Sequence, residues 1–189
     1  MVLLMRVRVV CSVLGVLALG VSAPAQTRSP WGLQVRVNDP GSDLSDVLGG
    51  KAGFGASLVY HHDFAGGAVP VRARLNYDRW DEGKPVGTPA SSFKAESYGI
   101  SVELCSFFRR EATTGAYYAL GLVGDHWNVK SVDASTGTSS GIDATKASSV
   151  ASFGYLFANG FSVELSGKAG TVAKNLEARV WSLSMGYRF

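Results

Sequence analysis

Large apolar residues alternate with small or polar residues over most of this chain, and this alternation decides which folds the chain can adopt. Residues 71–78 show the pattern most clearly, because every second residue is apolar and the positions between are two arginines, an asparagine and an aspartate. Successive side chains of a β-strand point to opposite faces of the sheet. We therefore predict a strand here, with one apolar face and one polar face.

The same alternation recurs in eight segments, separated by stretches rich in Gly, Pro, Ser, Asp and Asn. The predicted strands are 31–38, 52–63, 69–80, 93–107, 115–130, 145–157, 161–168 and 176–189. Long polar connections (39–51, 81–92 and 131–144, with 169–175 intermediate) alternate with short ones (64–68, 109–114 and 158–160). This order is typical of an up-and-down barrel with tight turns at one end and larger loops at the other.

The chemistry of the two faces distinguishes a membrane barrel from a water-soluble one. A soluble barrel such as a lipocalin turns its apolar residues inward. Here one face is large and apolar while the other carries charges among Ser and Gly, which indicates lipid outside and a polar interior. We expect most aromatic residues near the periplasmic rim, with Trp80 and Trp127 near the outer rim. The predicted fold is an all-β, eight-stranded antiparallel up-and-down transmembrane β-barrel with both termini periplasmic.

The first 25 residues are predicted to be a secretory signal peptide. Arg6 and Arg8 precede an apolar run, and an Ala-Pro-Ala sequence follows it before Gln26. Cys11 stands too early for a lipoprotein signal, so we expect no lipidation. Residues 26–189 are then the barrel domain, with Cys105 as its one cysteine. Loss of the two arginines lowers the formal net charge from +3 to +1, and we expect no nucleic-acid binding.

The chain closes on the alternating stretch Trp-Ser-Leu-Ser-Met-Gly-Tyr-Arg-Phe, residues 181–189. With the signal peptide and the eight strands, this ending resembles the small outer-membrane β-barrels of Gram-negative bacteria, the class of the OmpA transmembrane domain, OmpX and the opacity proteins. The resemblance implies an outer-membrane location, a monomeric protein, and contact with outer-membrane lipid and lipopolysaccharide. It also implies that Tyr187 and Phe189 belong to the C-terminal signal read by the barrel-assembly machinery.

Several charged residues share the polar face of the predicted strands. An eight-stranded barrel has an interior just wide enough for side chains to fill it. Because an unpaired buried charge costs several kcal/mol, we expect these residues to pair with one another; the alternative is an ion path through a gap between them. The predicted network comprises Arg72, Arg74, Glu103, Glu164, Lys168 and Arg188, with Arg36 as a further candidate.

Other candidates for chemistry are weaker. His126 is of interest because lipid A-modifying barrels also have a His near the outer rim, but the deacylase pattern has a Ser two residues on, where this chain has Asn128. His61 and His62 are adjacent and point to opposite faces of a strand. The three aspartates of the first loop do not follow the EF-hand spacing. We predict no enzyme activity, no cofactor and no metal.

The sequence thus predicts a non-enzymatic envelope scaffold or surface-interaction protein that acts through its extracellular loops. Two alternatives remain open, a narrow ion or solute pore and a lipid A-modifying enzyme. Residue types in the loops do not identify an extracellular ligand.

Overall fold

A computed structural model describes residues 29–64, 69–83, 91–108, 114–133, 136–173 and 176–189. The strands are β1 (Trp31–Gly41), β2 (Gly53–Phe64), β3 (Val69–Gly83), β4 (Ser91–Phe107), β5 (Gly115–Asp133), β6 (Ser139–Leu156), β7 (Phe161–Ala173) and β8 (Leu176–Arg188), and one helix, α1 (Ser42–Leu48), follows β1. Each strand pairs antiparallel with its neighbour in sequence, and β8 pairs with β1 to close the barrel. The predicted fold class is confirmed. The predicted signal peptide lies outside the described residues, among which no helix is long and apolar enough to cross a membrane.

The two faces of the strands are arranged as the alternation predicts. Leu75, Ile100 and Leu122 point outward and expose 53%, 57% and 69% of their surface, while the neighbouring polar face is buried in the barrel. Among those buried residues, Arg72 exposes 2% and Glu103 exposes none. An apolar surface of this extent is not stable in water. It is the lipid-facing band of a transmembrane barrel.

Two tryptophans predicted near the outer rim lie at that end of the barrel but on its inner side. Trp80 and Trp127 do not form an outer aromatic rim but point into the lumen, where they expose 0% and 1% of their surface. The alternation of the strands explains this. Trp80 lies an even number of residues from Arg72, and Trp127 lies an even number of residues from Val123, so each shares the inner face with that buried residue. Outward aromatic residues toward the outer end are instead Phe54, Tyr77, Tyr98 and Trp181, and those toward the periplasmic end include Trp31, Phe108, Tyr118, Tyr155, Tyr187 and Phe189.

Helix α1 corrects the prediction of a polar loop over residues 39–51. Strand β1 continues to Gly41, and the chain then forms a short helix that ends at Leu48 and is capped by Gly49, whose φ of 60° is left-handed. Leu44 and Leu48 lie one turn apart on the same helix face and are completely buried. Helix α1 therefore lies over the outer mouth of the barrel with its apolar face turned into the lumen.

The third long connection is also more ordered than predicted. Residues 131–144 were expected to be a loop, but β5 continues to Asp133 and β6 begins at Ser139. The two strands stay in register up to Val132 and Ser139, and β4 accompanies β5 up to Ser91. Strand β6, in contrast, pairs with β7 only from Ser148 to Leu156, toward the periplasmic end. We call the extension formed by residues 91–97, 127–133 and 139–147 the projecting sheet.

Candidate functional site

An ion-pair cluster fills the middle of the lumen. Arg72 and Arg74 on β3 face Glu103 on β4 and Glu164 on β7, and each arginine is paired with both carboxylates. The distance from Arg72 Nη2 to Glu103 Oε2 is 2.5 Å, and that from Arg74 Nη1 to Glu164 Oε1 is 2.8 Å. The hydroxyl of Tyr117 also donates to Glu164, at 2.7 Å. We call these five residues the lower cluster.

The packing of the lower cluster depends on a glycine. Gly121 on β5 lies opposite Glu103, and a Cβ atom there would come within 2.1 Å of the Val102 carbonyl oxygen and 2.6 Å of Glu103 Cγ. Because a backbone oxygen cannot move aside as a flexible side chain can, only glycine fits at this position. The carboxylate thereby gains the room to reach both arginines across the lumen.

A second ion-pair cluster lies closer to the outer end. Lys168 Nζ is 2.8 Å from Asp125 Oδ2 and 3.7 Å from Asp78 Oδ2. Asp78 also accepts hydrogen bonds from Arg36 at 2.6 Å and from Asn38 at 2.7 Å. This upper cluster contains two cations and two carboxylates, like the lower one, so the formal charges of each cluster cancel.

The predicted network residues therefore do not form a single group. Arg72, Arg74, Glu103 and Glu164 come together in the lower cluster, whereas Lys168 and Arg36 belong to the upper one. Arg188 lies at the periplasmic end, where its Nε donates to the carbonyl of Ser29 at 3.0 Å. The predicted network left out Asp125, Tyr117 and also Asp78, although the alternation over residues 71–78 places Asp78 on the polar face. The two-residue alternation of a strand could have identified all three, because each lies an even number of residues from a buried residue of its own strand.

An apolar cap covers the upper cluster. It consists of Leu44 and Leu48 of α1 packed on buried side chains of five strands, namely Trp80, Ala95, Trp127, Val129, Val172, Ala178 and Val180. Trp80 and Trp127 stack with their ring centroids 5.7 Å apart, and Lys168 Nζ lies 4.9 Å from the Trp127 ring. A cavity of about 60 Å³ lies at the periplasmic end, and another of about 30 Å³ lies between the two clusters. Both are far smaller than a typical small-molecule site.

His126 is separated from these clusters, whereas His61 is the register partner of Arg72 and borders the lower cluster. His126 points outward, with Nδ1 3.0 Å from Thr145 Oγ1 and Nε2 3.1 Å from Asp143 Oδ1. Asn128, the position of the missing nucleophile, is therefore not its partner. His61 lines the periplasmic cavity together with the half-buried Cys105, and its neighbour His62 is exposed. Across the described ranges, no three His, Cys, Asp or Glu side chains are grouped so as to hold a metal ion.

The projecting sheet exposes an unpaired strand edge. Residues 139–147 of β6 pair with β5 on one side, and the described residues of β7 reach the other side only from Ser148 inward. Eight of these nine residues are exposed, and the ninth, Ala144, is half-buried. Their backbone N–H and C=O groups on the far side of β6 thus have no strand partner in the described part of the chain.

The C-terminal residues complete the barrel seam. Phe189 N donates to the Trp31 carbonyl at 3.1 Å, and the rings of Tyr187 and Phe189 lie 6.0 Å apart. Both side chains point outward and are about half exposed. Tyr187 and Phe189 therefore form part of the aromatic surface at the periplasmic end.

Comparison with solved structures finds the same fold in small outer-membrane proteins. The chain matches Ail, the attachment invasion locus protein of Yersinia pestis, with a TM-score of 0.55 and 16% identity over 84% of this chain and 96% of Ail. Neisserial surface protein A matches with a TM-score of 0.55 and 18% identity, over 86% of this chain and 98% of that protein. The N-terminal β-barrel domain of Pseudomonas aeruginosa OprF matches with a TM-score of 0.54 and 14% identity, over 86% of this chain and 100% of that domain. No family model and no curated protein matches the sequence.

These similarities confirm the predicted resemblance at the level of the fold. The closed eight-stranded barrel is shared with the outer-membrane proteins, and the apolar outer surface described above requires surrounding lipid. On both grounds, the chain has the fold of the small eight-stranded outer-membrane β-barrels, with an outer surface suited to lipid.

Proposed function

We propose that this protein is a non-enzymatic outer-membrane scaffold that binds an extracellular partner through its projecting sheet. The observation that carries the proposal is the unpaired edge of β6 at residues 139–147. Such an edge offers a row of hydrogen-bonding groups to which an extended segment of another protein can add as a further strand. The β6 edge contains no proline, which would have removed donors from it.

The comparisons support a surface role of this kind without identifying the partner. Ail is named for attachment and invasion, and a structure of Ail in complex with the heparin analogue sucrose octasulfate matches this chain with a TM-score of 0.58 and 15% identity. We therefore include both matrix proteins and heparin among the ligands to be tested.

In this proposal the interior of the barrel has a structural role. The two ion-pair clusters and the apolar cap hold the eight strands together and close the lumen. Tyr187 and Phe189, which lie at the strand seam, act as the signal for the barrel-assembly machinery.

Shortening the projecting sheet tests the proposal. Replacing residues 128–143 by Asn-Gly joins Trp127 to Ala144, which are register partners, and removes five of the nine edge residues, 139–143. Bacteria that display the protein are applied to surfaces coated with fibronectin, laminin or heparin. We expect the wild type to bind at least one surface and the shortened variant to lose that binding.

A matched control changes only the turn. Replacing residues 134–137 by Asn-Gly keeps the pairing of Asp133 with Thr138 and leaves the whole β6 edge in place. This variant should bind like the wild type. Binding that survives in the shortened variant, or that disappears equally in the turn variant, would exclude the edge as the binding element.

The pore alternative is opposed by three successive closures of the lumen, namely the lower cluster, the upper cluster and the cap. In planar bilayers we expect the purified protein to produce no stable conductance steps. Steps whose size changes in Arg74→Gln would instead favour a narrow pore through the lower cluster.

The enzyme alternative depends on His126. Its contacts with Thr145 and Asp143 form a hydroxyl–imidazole–carboxylate chain, but 67% of the Asp143 side chain is exposed to solvent. We interpret the group as a surface pair of the kind that contributes little stability. Expression of the protein should leave the lipid A mass profile of the cells unchanged. A mass change that is lost in His126→Ala would support the enzyme.

A further inference from the structure

The outward face of the projecting sheet carries a cluster of cations on three neighbouring strands. On β4, Ala95 and Ser97 are completely buried on the inner face, so Lys94 points outward. On β5, Val129 is buried on the inner face, so Lys130 points outward as well. Arg79 on β3 is exposed on the same outer face. We call these three residues the outer cation cluster.

Two of the cations are directly opposite each other. Lys94 and Lys130 are register partners in the β4–β5 ladder. Side chains at such positions lie next to each other, and like charges there are destabilising. The sheet therefore brings together two positive charges that need an anion between them.

The carboxylates nearby do not neutralise both lysines. Glu96 lies 3.0 Å from Lys94 Nζ and 4.0 Å from Arg79 Nε, and Asp81 lies 3.0 Å from Arg79 Nε. Lys130 makes no ion pair with any residue in the described ranges. A third carboxylate on this face, Asp143, contacts His126 Nε2 at 3.1 Å rather than Lys130. Within the described ranges, Lys130 is thus the cation of the cluster that makes no ion pair, and it lies beside Lys94.

The height of the cluster identifies the environment it faces. Tyr98 is an outward aromatic residue on β4, and Lys94 lies four residues beyond it toward the outside. Four residues of a strand tilted by about 40° rise roughly 10 Å along the membrane normal. This is above the hydrocarbon and within the layer of lipid head groups. In the outer leaflet of a Gram-negative outer membrane, that layer holds the sugars and phosphates of lipopolysaccharide.

We propose that Lys94 and Lys130, assisted by Arg79, bind a phosphate group of a lipopolysaccharide molecule beside the barrel. A phosphate carries up to two negative charges and several acceptor oxygens, so it can bridge both ammonium groups by charge-assisted hydrogen bonds. The lipid is the source of the phosphate because the cluster lies on the outward face, directly above the lipid-facing wall. This site is independent of the partner proposed for the β6 edge.

The test uses the double variant Lys94→Gln/Lys130→Gln in phosphatidylcholine vesicles that contain a small fraction of lipopolysaccharide. Its matched control is Lys146→Gln/Arg179→Gln, which removes two exposed cations from other surfaces. Lys146 lies on the opposite face of the projecting sheet, and Arg179 lies on β8. Each protein is first checked for folding by the change in gel mobility on boiling, and the lipopolysaccharide that remains bound after vesicle washing is then measured.

We expect the Lys94/Lys130 variant to bind lipopolysaccharide about tenfold or more weakly than the wild type, since each lysine near an anionic surface contributes on the order of 1 kcal/mol. The control variant should stay within about twofold of the wild type, because neither Lys146 nor Arg179 belongs to the outer cation cluster. With lipopolysaccharide stripped of its phosphates, the wild type and the double variant should bind alike.

Three results would overturn the proposal. The first is a double variant that binds intact lipopolysaccharide as tightly as the wild type. The second is a difference between the two proteins that persists with phosphate-free lipopolysaccharide. The third is displacement of the lipid by inorganic phosphate at an equal concentration, which would mean that the cluster binds the free anion rather than a lipid.

Discussion

Glu164 is completely buried, and it accepts hydrogen bonds from two arginines and from Tyr117. Removal of its charge leaves Arg72 and Arg74 to share Glu103 alone. Breaking a buried ion pair by removal of one partner is strongly destabilising, because the remaining charge stays out of water without compensation. At the scale of single residues, the stability of this barrel is therefore concentrated in a few lumen side chains.

We expect Glu164→Gln to lower the free energy of unfolding by about 3–5 kcal/mol. Glu177→Gln is the matched control, because Glu177 forms an exposed pair with Arg179 at 3.8 Å and such pairs contribute about 1 kcal/mol or less. Urea unfolding of both variants in lipid vesicles measures the difference. Equal stability of the two variants would mean that the lower cluster does not hold the barrel together.

Two glycines of β5 provide a second comparison at this scale. A Cβ atom at Gly121 would collide with the Val102 carbonyl oxygen, whereas a Cβ atom at Gly124 would meet nothing within 4 Å. Gly121→Ala should destabilise the barrel by about 1–3 kcal/mol through overpacking. Gly124→Ala should be neutral or slightly stabilising, because alanine loses less conformational freedom on folding. Urea unfolding in lipid vesicles measures both variants. A similar decrease in the free energy of unfolding for Gly121→Ala and Gly124→Ala would contradict the close approach at Gly121.

At the scale of elements, α1 is the part of the fold that closes the outer mouth. Its seven residues are too few to form a stable helix alone. The helix is held by Leu44 and Leu48, which insert among the buried residues of the cap. Gly83 on β3 allows this close packing, because a Cβ atom there would come within 1.9 Å of the Leu48 carbonyl oxygen. The closure thus depends on two leucines and one glycine from separate parts of the sequence.

The double variant Leu44→Ala/Leu48→Ala should release the helix from the mouth while the barrel itself remains folded. The expected result is a red shift in tryptophan emission, since Trp80 and Trp127 become accessible to water, with the gel-mobility shift on boiling retained. Asp46→Ala, on the exposed side of the helix, should leave the emission unchanged. An unchanged spectrum in the double variant would show that the leucines do not seal the cap.

The sequence predicted the regular elements well and the irregular ones poorly, for physical reasons. Alternation alone places Arg72, Arg74 and Leu75 on their correct faces, because a strand has a fixed period of two. The same rule applied to Trp80 would have placed it inside, but the expectation of an aromatic rim overrode it. Helix α1 has only one i, i+4 pair of large apolar residues, so no period is visible in its sequence. The length of β5 and β6 outside the membrane depends on their pairing with each other, which the Ser- and Thr-rich sequence does not reveal.

At the scale of the whole molecule, the fold combines an apolar exterior, an interior filled by two neutral ion-pair clusters, and a projecting sheet on the outside. The exterior explains insertion into lipid, because a closed barrel satisfies its backbone hydrogen bonds internally. The filled interior leaves the projecting sheet and the outer cation cluster as the surfaces available for binding. The central claim is therefore the direction in which each face of the strands points.

The four tryptophans of the chain test this claim directly. Trp31 and Trp181 point outward and expose 44% and 59% of their surface, while Trp80 and Trp127 are buried in the cap. Two variants are made in which only Trp181 or only Trp127 is kept and the others are replaced by Phe. Both are reconstituted in vesicles of brominated phosphatidylcholine, which quenches tryptophan emission by contact.

Emission from Trp181 should be strongly quenched by the brominated lipid, while emission from Trp127 should match that in unbrominated vesicles. Strong quenching of Trp127 with Trp181 unaffected would mean that the faces are reversed and that the apolar residues point inward, as in a water-soluble barrel.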